Sequence, residues 1–235
     1  MLKNKVCVIT GGAKGIGKAI KDEFLKNDVK CYVIDIVEGD HYIGDIGDKE
    51  TLEKFVKYVI DKENKIDFLI NNAPPLMKGI DKCSYEEFNK ALMVGVTAPF
   101  YLTKLFIPFF NENASIVNIS SSRDRMSQPQ TESYTASKGG IAALTHSLAI
   151  SLGPKVRVNS ISPGWINTSD SFIGEKNDHL QHPVGRIGRP EDIAKLVLFL
   201  CSNNASFISG ENICIDGGMT KQMIYHNDYE WMLKK

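Results

Sequence analysis

Short, almost wholly apolar runs alternate along the chain with segments in which apolar residues recur at helical spacing. The first two runs are Lys5–Thr10 and Lys30–Ile36, and the segment between them, Ile16–Asn27, has helical spacing. Strands that are apolar on both faces are typical of a parallel sheet covered by helices. The alternation continues to Asn212–Asp216 without a repeat or a linker. The sequence therefore predicts an α/β fold, a doubly wound parallel sheet in a single domain over residues 1–235.

One predicted connection between strands is too short to hold a helix. Only Ile36–His41 separates Asp35 from the next predicted strand, Tyr42–Asp45. A crossover between parallel strands normally takes a dozen or more residues, usually as a helix. We therefore expect the helix between strands 2 and 3 to be missing, which leaves that side of the sheet thinly covered.

The totals of charge and cysteine disfavour several kinds of partner. The 235 residues carry 28 basic and 28 acidic side chains, and this zero net charge gives no electrostatic basis for binding nucleic acid or an acidic membrane. Five scattered cysteines, none spaced as CxxC, fit reduced thiols better than disulfides or a zinc site. No uninterrupted apolar run approaches the ~20 residues of a spanning helix. We expect a cytoplasmic protein that binds no nucleic acid, membrane or metal.

The first predicted strand runs into a glycine-rich turn, Thr10–Gly17, and then into a helix. Glycines let the backbone turn sharply and approach a pyrophosphate, and the N-terminus of the helix attracts that anion. The alternative is a tight turn without a ligand, which the strand–turn–helix context disfavours. The predicted cofactor-binding residues of this turn are Gly11, Lys14, Gly15, Ile16 and Gly17.

The second predicted strand ends at Asp35, where an acid bears on the choice of dinucleotide. A carboxylate there accepts hydrogen bonds from the adenosine ribose hydroxyls and repels a 2′-phosphate, which favours NAD. Lys14 favours the opposite choice, because a cation in the glycine turn would attract that phosphate. The sequence predicts NAD as the cofactor and leaves NADP open.

Three residues further along form a candidate catalytic set. Tyr134 and Lys138 are four residues apart, so a helix places them on one face, and Ser121 follows a predicted strand. A nearby ammonium lowers the pKa of a tyrosine, which then exchanges a proton with an alcohol oxygen near neutral pH. The serine hydroxyl would hold the same oxygen. Taken alone, the tyrosine–lysine pair is more often an ordinary pair on an amphipathic helix.

With these residues in place, the chain resembles the short-chain dehydrogenase/reductase family over roughly residues 3–220. The segments that carry the resemblance occur in the family's order. They are Thr10–Gly17, Asp35, Gly44–Ile46, Asn71–Ala73, Ser121, Tyr134–Lys138, Asn159–Thr168, Gly188–Asp192 and Ile215–Gly218.

This resemblance implies that the doubly wound sheet is of the Rossmann type. It also implies an NAD(P)-dependent enzyme that interconverts a secondary alcohol and a ketone, with Tyr134 as the acid and base. Its substrate would be a small alcohol or carbonyl compound. Lys138 would also hold the nicotinamide ribose. The remaining implied cofactor contacts are Asp45 and Ile46 at the adenine, Asn72 and Ala73 near the ribose, Ile166 and Thr168 at the nicotinamide carboxamide, and Pro163 and Gly164.

Two residues depart from the family pattern. Gly95 stands where the family carries an asparagine that helps to hold a water between the lysine and solvent, so the proton relay is affected. Pro74 replaces a glycine and should stiffen the loop beside the nicotinamide. Two alternatives therefore stay open: an NADP-dependent carbonyl reductase, and a weakly active nucleotide-binding protein.

The loop after Ser121 contains two arginines, Arg123 and Arg125, where many relatives have small or apolar residues. One hypothesis is that one of them, Arg123 above all, binds an anionic group of the substrate, since a guanidinium fork matches carboxylate or phosphate. The alternative is a solvated or aspartate-paired loop. Trp165 is a further candidate substrate contact, and residues 170–185 are the candidate substrate lid.

The C-terminal tail, residues 219–235, is rich in aromatic and apolar side chains. Exposed, it would be an apolar patch, so we expect it to pack across a subunit interface. This predicts a homo-oligomer, a dimer or the homotetramer common in the family. The alternative is that the tail folds back on its own chain.

Overall fold

A computed structural model describes residues 2–169, 171–225 and 228 of the chain. Within them seven parallel strands form one sheet in the order β3-β2-β1-β4-β5-β6-β7. The strands are β1 Val6–Thr10, β2 Lys30–Asp35, β3 Tyr42–Ile43, β4 Ile66–Asn71, β5 Phe110–Ile119, β6 Val156–Pro163 and β7 Asn212–Ile215.

Helices cover both faces of this sheet. They are α1 Gly15–Lys26, α2 Lys49–Glu63, α3 Tyr85–Leu92, α4 Ala98–Phe106, α5 Glu132–Leu152, α6 Lys176–Leu180 and α7 Pro190–Cys201. On one face of the sheet, Phe55 of α2 and Phe106 of α4 are buried in a common core. On the other face, Phe24 of α1 is buried in a second core to which α7 also contributes. Because both faces are covered, every residue of β1 and of β4 is buried, as the apolar runs predict.

The strand order reverses at β1, which lies between β2 and β4. Successive connections leave β1 in opposite directions, so a crevice opens at the carboxyl ends of β1 and β4, where such folds bind ligands. Hydrogen bonds tie the two strand ends together: the Asn72 side-chain nitrogen donates to the Thr10 carbonyl at 3.1 Å and to the Gly11 carbonyl at 2.8 Å. The site described below occupies this crevice.

The short crossover between β2 and β3 is confirmed. Residues 36–41 contain no helix, and β3 is only two residues long, shorter than the predicted strand Tyr42–Asp45. It pairs in parallel with the end of β2, with Ile34 opposite Tyr42 and Asp35 opposite Ile43. Since β3 ends the described sheet, this edge is short, and one end of the crevice lies beside it.

One helical region passes a length-and-composition test for a membrane span, which differs from the expectation based on uninterrupted apolar runs. The region Tyr85–Phe109 has 25 residues and a mean hydropathy of 1.5 in its most apolar window, 33% of which is buried within the fold. Scattered polar residues interrupt its apolar runs without lowering this mean much. The core helix of a soluble domain passes the same test, so length and composition alone do not make this region a span.

Candidate active site

The N-terminus of α1 is arranged to receive an anion. Its N-cap residue, Lys14, makes no side-chain capping hydrogen bond, and its first turn contains no acidic residue. The helices α2 and α3 differ, because Asp48 caps the first and a Ser84–Glu87 capping box the second. The first-turn N–H groups of α1 and their helix dipole therefore point at the crevice without a competing carboxylate, which fits a pyrophosphate.

Two glycines of this turn, Gly15 and Gly17, are also required by the packing and the backbone conformation of the chain itself. A Cβ on Gly17 would lie 2.0 Å from the Gly11 carbonyl oxygen, so α1 could not pack this closely on the turn with any other residue. Gly15 has a φ of +54°, in the left-handed region that favours glycine. The sequence argument assigned these glycines to the approach of a pyrophosphate, and the structure adds that close packing requires Gly17 even without a ligand.

A cleft of about 850 Å³ runs from the end of β2 to the start of α5. Its size is within the range of pockets that enclose small organic ligands. It brings together all the residues predicted to bind the cofactor or to act in catalysis. They are Gly11, Lys14, Gly15, Ile16, Gly17, Asp35, Asp45, Ile46, Asn72, Ala73, Ser121, Tyr134, Lys138, Pro163, Gly164, Ile166 and Thr168.

At one end of the cleft the Asp35 carboxylate is held by backbone donors. It accepts hydrogen bonds from the amide nitrogens of Ala13 at 2.9 Å and Val37 at 3.1 Å. Asp45 lies nearby and is paired with Lys90, whose Nζ is 3.4 Å from the carboxylate. Sequence reasoning missed Lys90, because it reaches the cleft from α3, which is distant in sequence from its partner Asp45.

At the other end lie Ser121, Tyr134 and Lys138. Ser121 follows β5 and begins a short 3₁₀ turn, in which its Oγ accepts a hydrogen bond from the backbone nitrogen of Arg123 at 3.2 Å. The helix α5 carries Tyr134 and Lys138 one turn apart, and the Lys138 Nζ lies 5.3 Å from the Tyr134 ring centroid. The same Nζ donates to the Ile119 carbonyl at 2.7 Å, which fixes the buried lysine against the end of β5.

Burial has the largest effect on the pKa of both Tyr134 and Lys138. It raises the pKa of Tyr134 above its usual value, and the Ser121 hydroxyl and the Arg123 charge lower it only in part. Burial also lowers the pKa of Lys138 from 10.5 to about 8. This differs from the expectation that the lysine would bring the tyrosine pKa down, because the ammonium here donates to a backbone carbonyl and the tyrosine is desolvated.

Gly95 lies in a π-helical turn, Met93–Thr97, that joins α3 to α4. A Cβ at this position would lie 2.7 Å from the Cβ of Ser137 and 3.3 Å from that of Pro75. The space that a side chain at position 95 would need is therefore occupied by Ser137 of α5 and by Pro75. Glycine fits this position, and any larger residue would require its neighbours to move.

Neither of the two candidate substrate residues lines the main cleft. Arg123 lies beside Tyr134, which does line it, with its Cζ 6.0 Å from the Tyr134 ring centroid. Trp165 lines a second, smaller cavity with Val184 and Asp216. Its ring lies 5.8 Å from that of Phe172, so within the described residues it packs against the lid segment and lies outside the main cleft.

The lid and the tail are described only in part. Residues 171–185 of the candidate lid contain α6. In the tail, Met219–Lys221 forms a 3₁₀ turn, and Met223 and Tyr225 are exposed. The aromatic end of the tail, Tyr229 and Trp231 included, lies outside the described residues, as does Asp170.

Among the described residues no group of three or more histidine, cysteine, aspartate or glutamate side chains could hold a metal ion.

A parallel sheet, a dinucleotide-sized crevice and a serine–tyrosine–lysine set at one end of it are the features of a nicotinamide-dependent oxidoreductase. A family profile described as Enoyl-(acyl carrier protein) reductase matches residues 11–220. The chain belongs to the short-chain dehydrogenase/reductase family and is an NAD(P)-dependent enzyme of that family.

Individual relatives match over nearly their whole length. An uncharacterized oxidoreductase of Thermotoga maritima is 39% identical, covering 96% of this chain and 99% of the relative. The NADP-dependent (R)-specific alcohol dehydrogenase of Lentilactobacillus kefiri is 31% identical, covering 94% and 98%. Among solved structures, an apo SCOR enzyme from Clostridium thermocellum has a TM-score of 0.90 and 44% identity, covering 99% of both chains. A 3-ketoacyl-(acyl-carrier-protein) reductase from Brucella melitensis complexed with NADH has a TM-score of 0.84 and 29% identity, covering 94% and 100%.

Proposed function

We propose that this oxidoreductase interconverts a secondary alcohol and a ketone and prefers NAD to NADP. The observation that carries the proposal is the placement of Ser121, Tyr134 and Lys138 at one end of a single cleft whose other end holds Asp35. The nicotinamide, when bound, would supply or accept the hydride. The uncapped N-terminus of α1, midway along the cleft, would hold the pyrophosphate.

The chain's own residues would then handle the oxygen and its proton. In ketone reduction the Ser121 hydroxyl would donate a hydrogen bond to the carbonyl oxygen, and the Tyr134 Oη would give that oxygen its proton. In alcohol oxidation the tyrosine would take the proton back. Lys138, fixed against the end of β5, would hold the nicotinamide ribose and stabilise the phenolate once it forms.

The preference for NAD rests on the charge of Asp35. Two backbone amides orient this carboxylate without neutralising it, so a 2′-phosphate would meet a fixed negative charge. Lys14 opposes this effect from the glycine turn. The relatives point both ways, since the alcohol dehydrogenase is named NADP-dependent and the Brucella reductase was solved with NADH.

Fluorescence titration with NADH and NADPH tests the cofactor preference. We expect tighter binding of NADH by the native protein. Asp35→Asn, which removes the charge and keeps an acceptor oxygen, should shift the NADPH/NADH affinity ratio about tenfold toward NADPH, roughly the effect of one charge at this range. Lys14→Ala is the opposite control and should weaken the binding of NADPH more than the binding of NADH. Native protein that binds NADPH about tenfold more tightly would overturn the preference for NAD.

A weakly active nucleotide-binding protein is the second candidate, and Gly95 is the observation that favours it. The test is a panel of secondary alcohols and ketones with each nucleotide, followed at the nicotinamide absorbance. Turnover that disappears in Tyr134→Phe supports the enzyme. Nucleotide binding without turnover of any compound would favour the second candidate.

We further propose that the protein is a homo-oligomer, a dimer or a tetramer. Its support is apolar surface that the described chain leaves exposed, including Phe100 on α4, Ile150 on α5 and Phe207, of which the last is fully exposed. Sedimentation velocity measures the mass directly. A monomer at micromolar concentration would contradict this proposal without affecting the proposed chemistry.

A further inference from the structure

Arg123 is a close neighbour of both Ser121 and Tyr134. Its backbone nitrogen donates to the Ser121 Oγ at 3.2 Å, and its guanidinium carbon lies 6.0 Å from the centroid of the Tyr134 ring. One residue thus touches the serine with its backbone and approaches the tyrosine with its charge. A substrate whose oxygen is held by Ser121 and Tyr134 would therefore lie close to Arg123, which flanks this end of the cleft without lining it.

The charge of Arg123 is not neutralised within the described part of the chain. The guanidinium contacts the Met77 sulfur at 2.9 Å and donates to the Gln128 side-chain oxygen, and both of these acceptors are neutral. Across residues 2–169, 171–225 and 228, no carboxylate forms an ion pair with it. The neutral acceptors orient the guanidinium and leave its charge available to an incoming anion.

The second arginine of the loop is different. The Asp124 carboxylate, whose side chain is only 4% exposed, accepts from Arg125 at 2.6 Å and 2.9 Å. It also accepts from the Ser162 hydroxyl at 2.7 Å and from the Asn212 amide. Asp124 therefore neutralises Arg125 and anchors the loop to β6 and β7. The sequence left the two arginines as alternatives, and this pairing distinguishes them.

We propose that Arg123 binds an anionic group of the substrate, a carboxylate or a phosphate, joined by a short spacer to the carbon that carries the reacting oxygen. The inference rests on the proposed alcohol–ketone activity and names its substrate class: hydroxy acids, oxo acids and their phosphate counterparts. The spacer is short because the guanidinium lies close to the ring that bears the proton-transferring hydroxyl. The planar fork of arginine matches both anions.

Matched pairs of ketones test this inference in the native protein, with whichever reduced nucleotide it oxidises. The carboxylate arm uses pyruvate, acetoacetate and levulinate, each against its methyl ester. The phosphate arm uses hydroxyacetone phosphate against hydroxyacetone. In at least one pair we expect the anion to be reduced with about 10- to 100-fold higher kcat/KM, the effect of one charged hydrogen bond. The arm that shows the preference identifies the anion.

Variants assign that preference to one side chain. Arg123→Ala should abolish the preference mainly through KM, and Arg123→Lys should restore it in part, because charge returns without the fork. Arg125→Ala is the matched control from the same loop and should keep the preference, since that guanidinium is already paired with Asp124. Arg123→Ala should also move the tyrosine limb of the pH–rate profile to higher pH, because the Arg123 charge lowers the pKa of Tyr134.

Two results would overturn the inference. One is a native enzyme that reduces each neutral ketone as well as its anionic partner, and the other is an anion preference that survives in Arg123→Ala. In both cases the proposed alcohol–ketone activity stands. If no compound is turned over, calorimetric titration of levulinate and hydroxyacetone phosphate into the enzyme–nucleotide complex separates the two proposals. Binding that depends on Arg123 would keep the anion site while the proposed reaction fails, and no binding would remove both.

Discussion

Replacing the buried Lys138 by methionine should stabilise the protein at pH 7 while removing its activity. The lysine is buried, and its hydrogen bond to the Ile119 carbonyl is its one described polar contact. Methionine has a similar length and no charge, so it fills the same space. The variant replaces a buried charge with an apolar contact. The resulting change in the free energy of unfolding depends on pH, because the charge of Lys138 does.

The magnitude follows from the pKa of Lys138, which burial lowers from 10.5 to about 8. At about 1.4 kcal/mol per pH unit, keeping this lysine protonated at pH 7 costs the native state about 3 kcal/mol. The native protein binds fewer protons than the unfolded chain between pH 8 and 10.5, so its stability rises with pH across that window. By pH 9.5 the cost has fallen to about 1.4 kcal/mol.

Lys138→Met removes this cost at every pH. It also leaves the Ile119 carbonyl without its donor, at about 1–3 kcal/mol that does not vary with pH. The variant's stability relative to the native protein should therefore drop by about 2 kcal/mol between pH 7 and pH 9.5. Urea unfolding without nucleotide, at both pH values and one protein concentration, measures this change. Lys104→Met, at an exposed position on α4, is the control. A stability difference that is constant or grows with pH would refute the reasoning.

Three further substitutions test the site. Tyr134→Phe should keep nucleotide affinity in fluorescence titrations and lose about 10²- to 10⁴-fold in kcat, the usual contribution of proton transfer; retained turnover would exclude that role. Gly95→Ala should destabilise the protein by about 1–3 kcal/mol in urea, since its Cβ meets Ser137 at 2.7 Å, and adding Ser137→Gly should recover part of the loss. Asp124→Asn should lower kcat for neutral ketones about tenfold by loosening the loop that positions Ser121, roughly the loss of one charge-assisted hydrogen bond; kcat unchanged in steady-state kinetics would remove this role.

Local patterns were sufficient for the layout of the fold. The apolar strands, the glycine turn before α1 and the short Ile36–His41 connection each depend on neighbours a few residues away, and each is where the pattern predicts. Strand lengths were less predictable. The β3 strand ends at Ile43 because its pairing depends on β2, and hydrogen bonds to another strand leave little trace in the sequence of either.

The candidate catalytic residues could be brought together from the sequence because their spacing is local, as with Tyr134 and Lys138 one turn apart on α5. Their electrostatics could not be derived in the same way. Burial, which sets the pKa of both groups, comes from side chains and backbone brought together from distant parts of the chain. The approach of Lys90 from α3 to Asp45 could not be predicted for the same reason.

The sequence by itself determined the order of strands and helices, the position of the glycine turn and the candidate catalytic set, because periodicity and short motifs encode them. The tertiary structure decided which loop arginine keeps its charge. Arg123 and Arg125 lie two residues apart in one loop, and the sequence does not show which of them is paired. The packing of β6 and β7 around Asp124 pairs Arg125 and leaves Arg123 beside Tyr134. Ion pairing depends on distance in space and on burial, and both arise only when the remote strands come together.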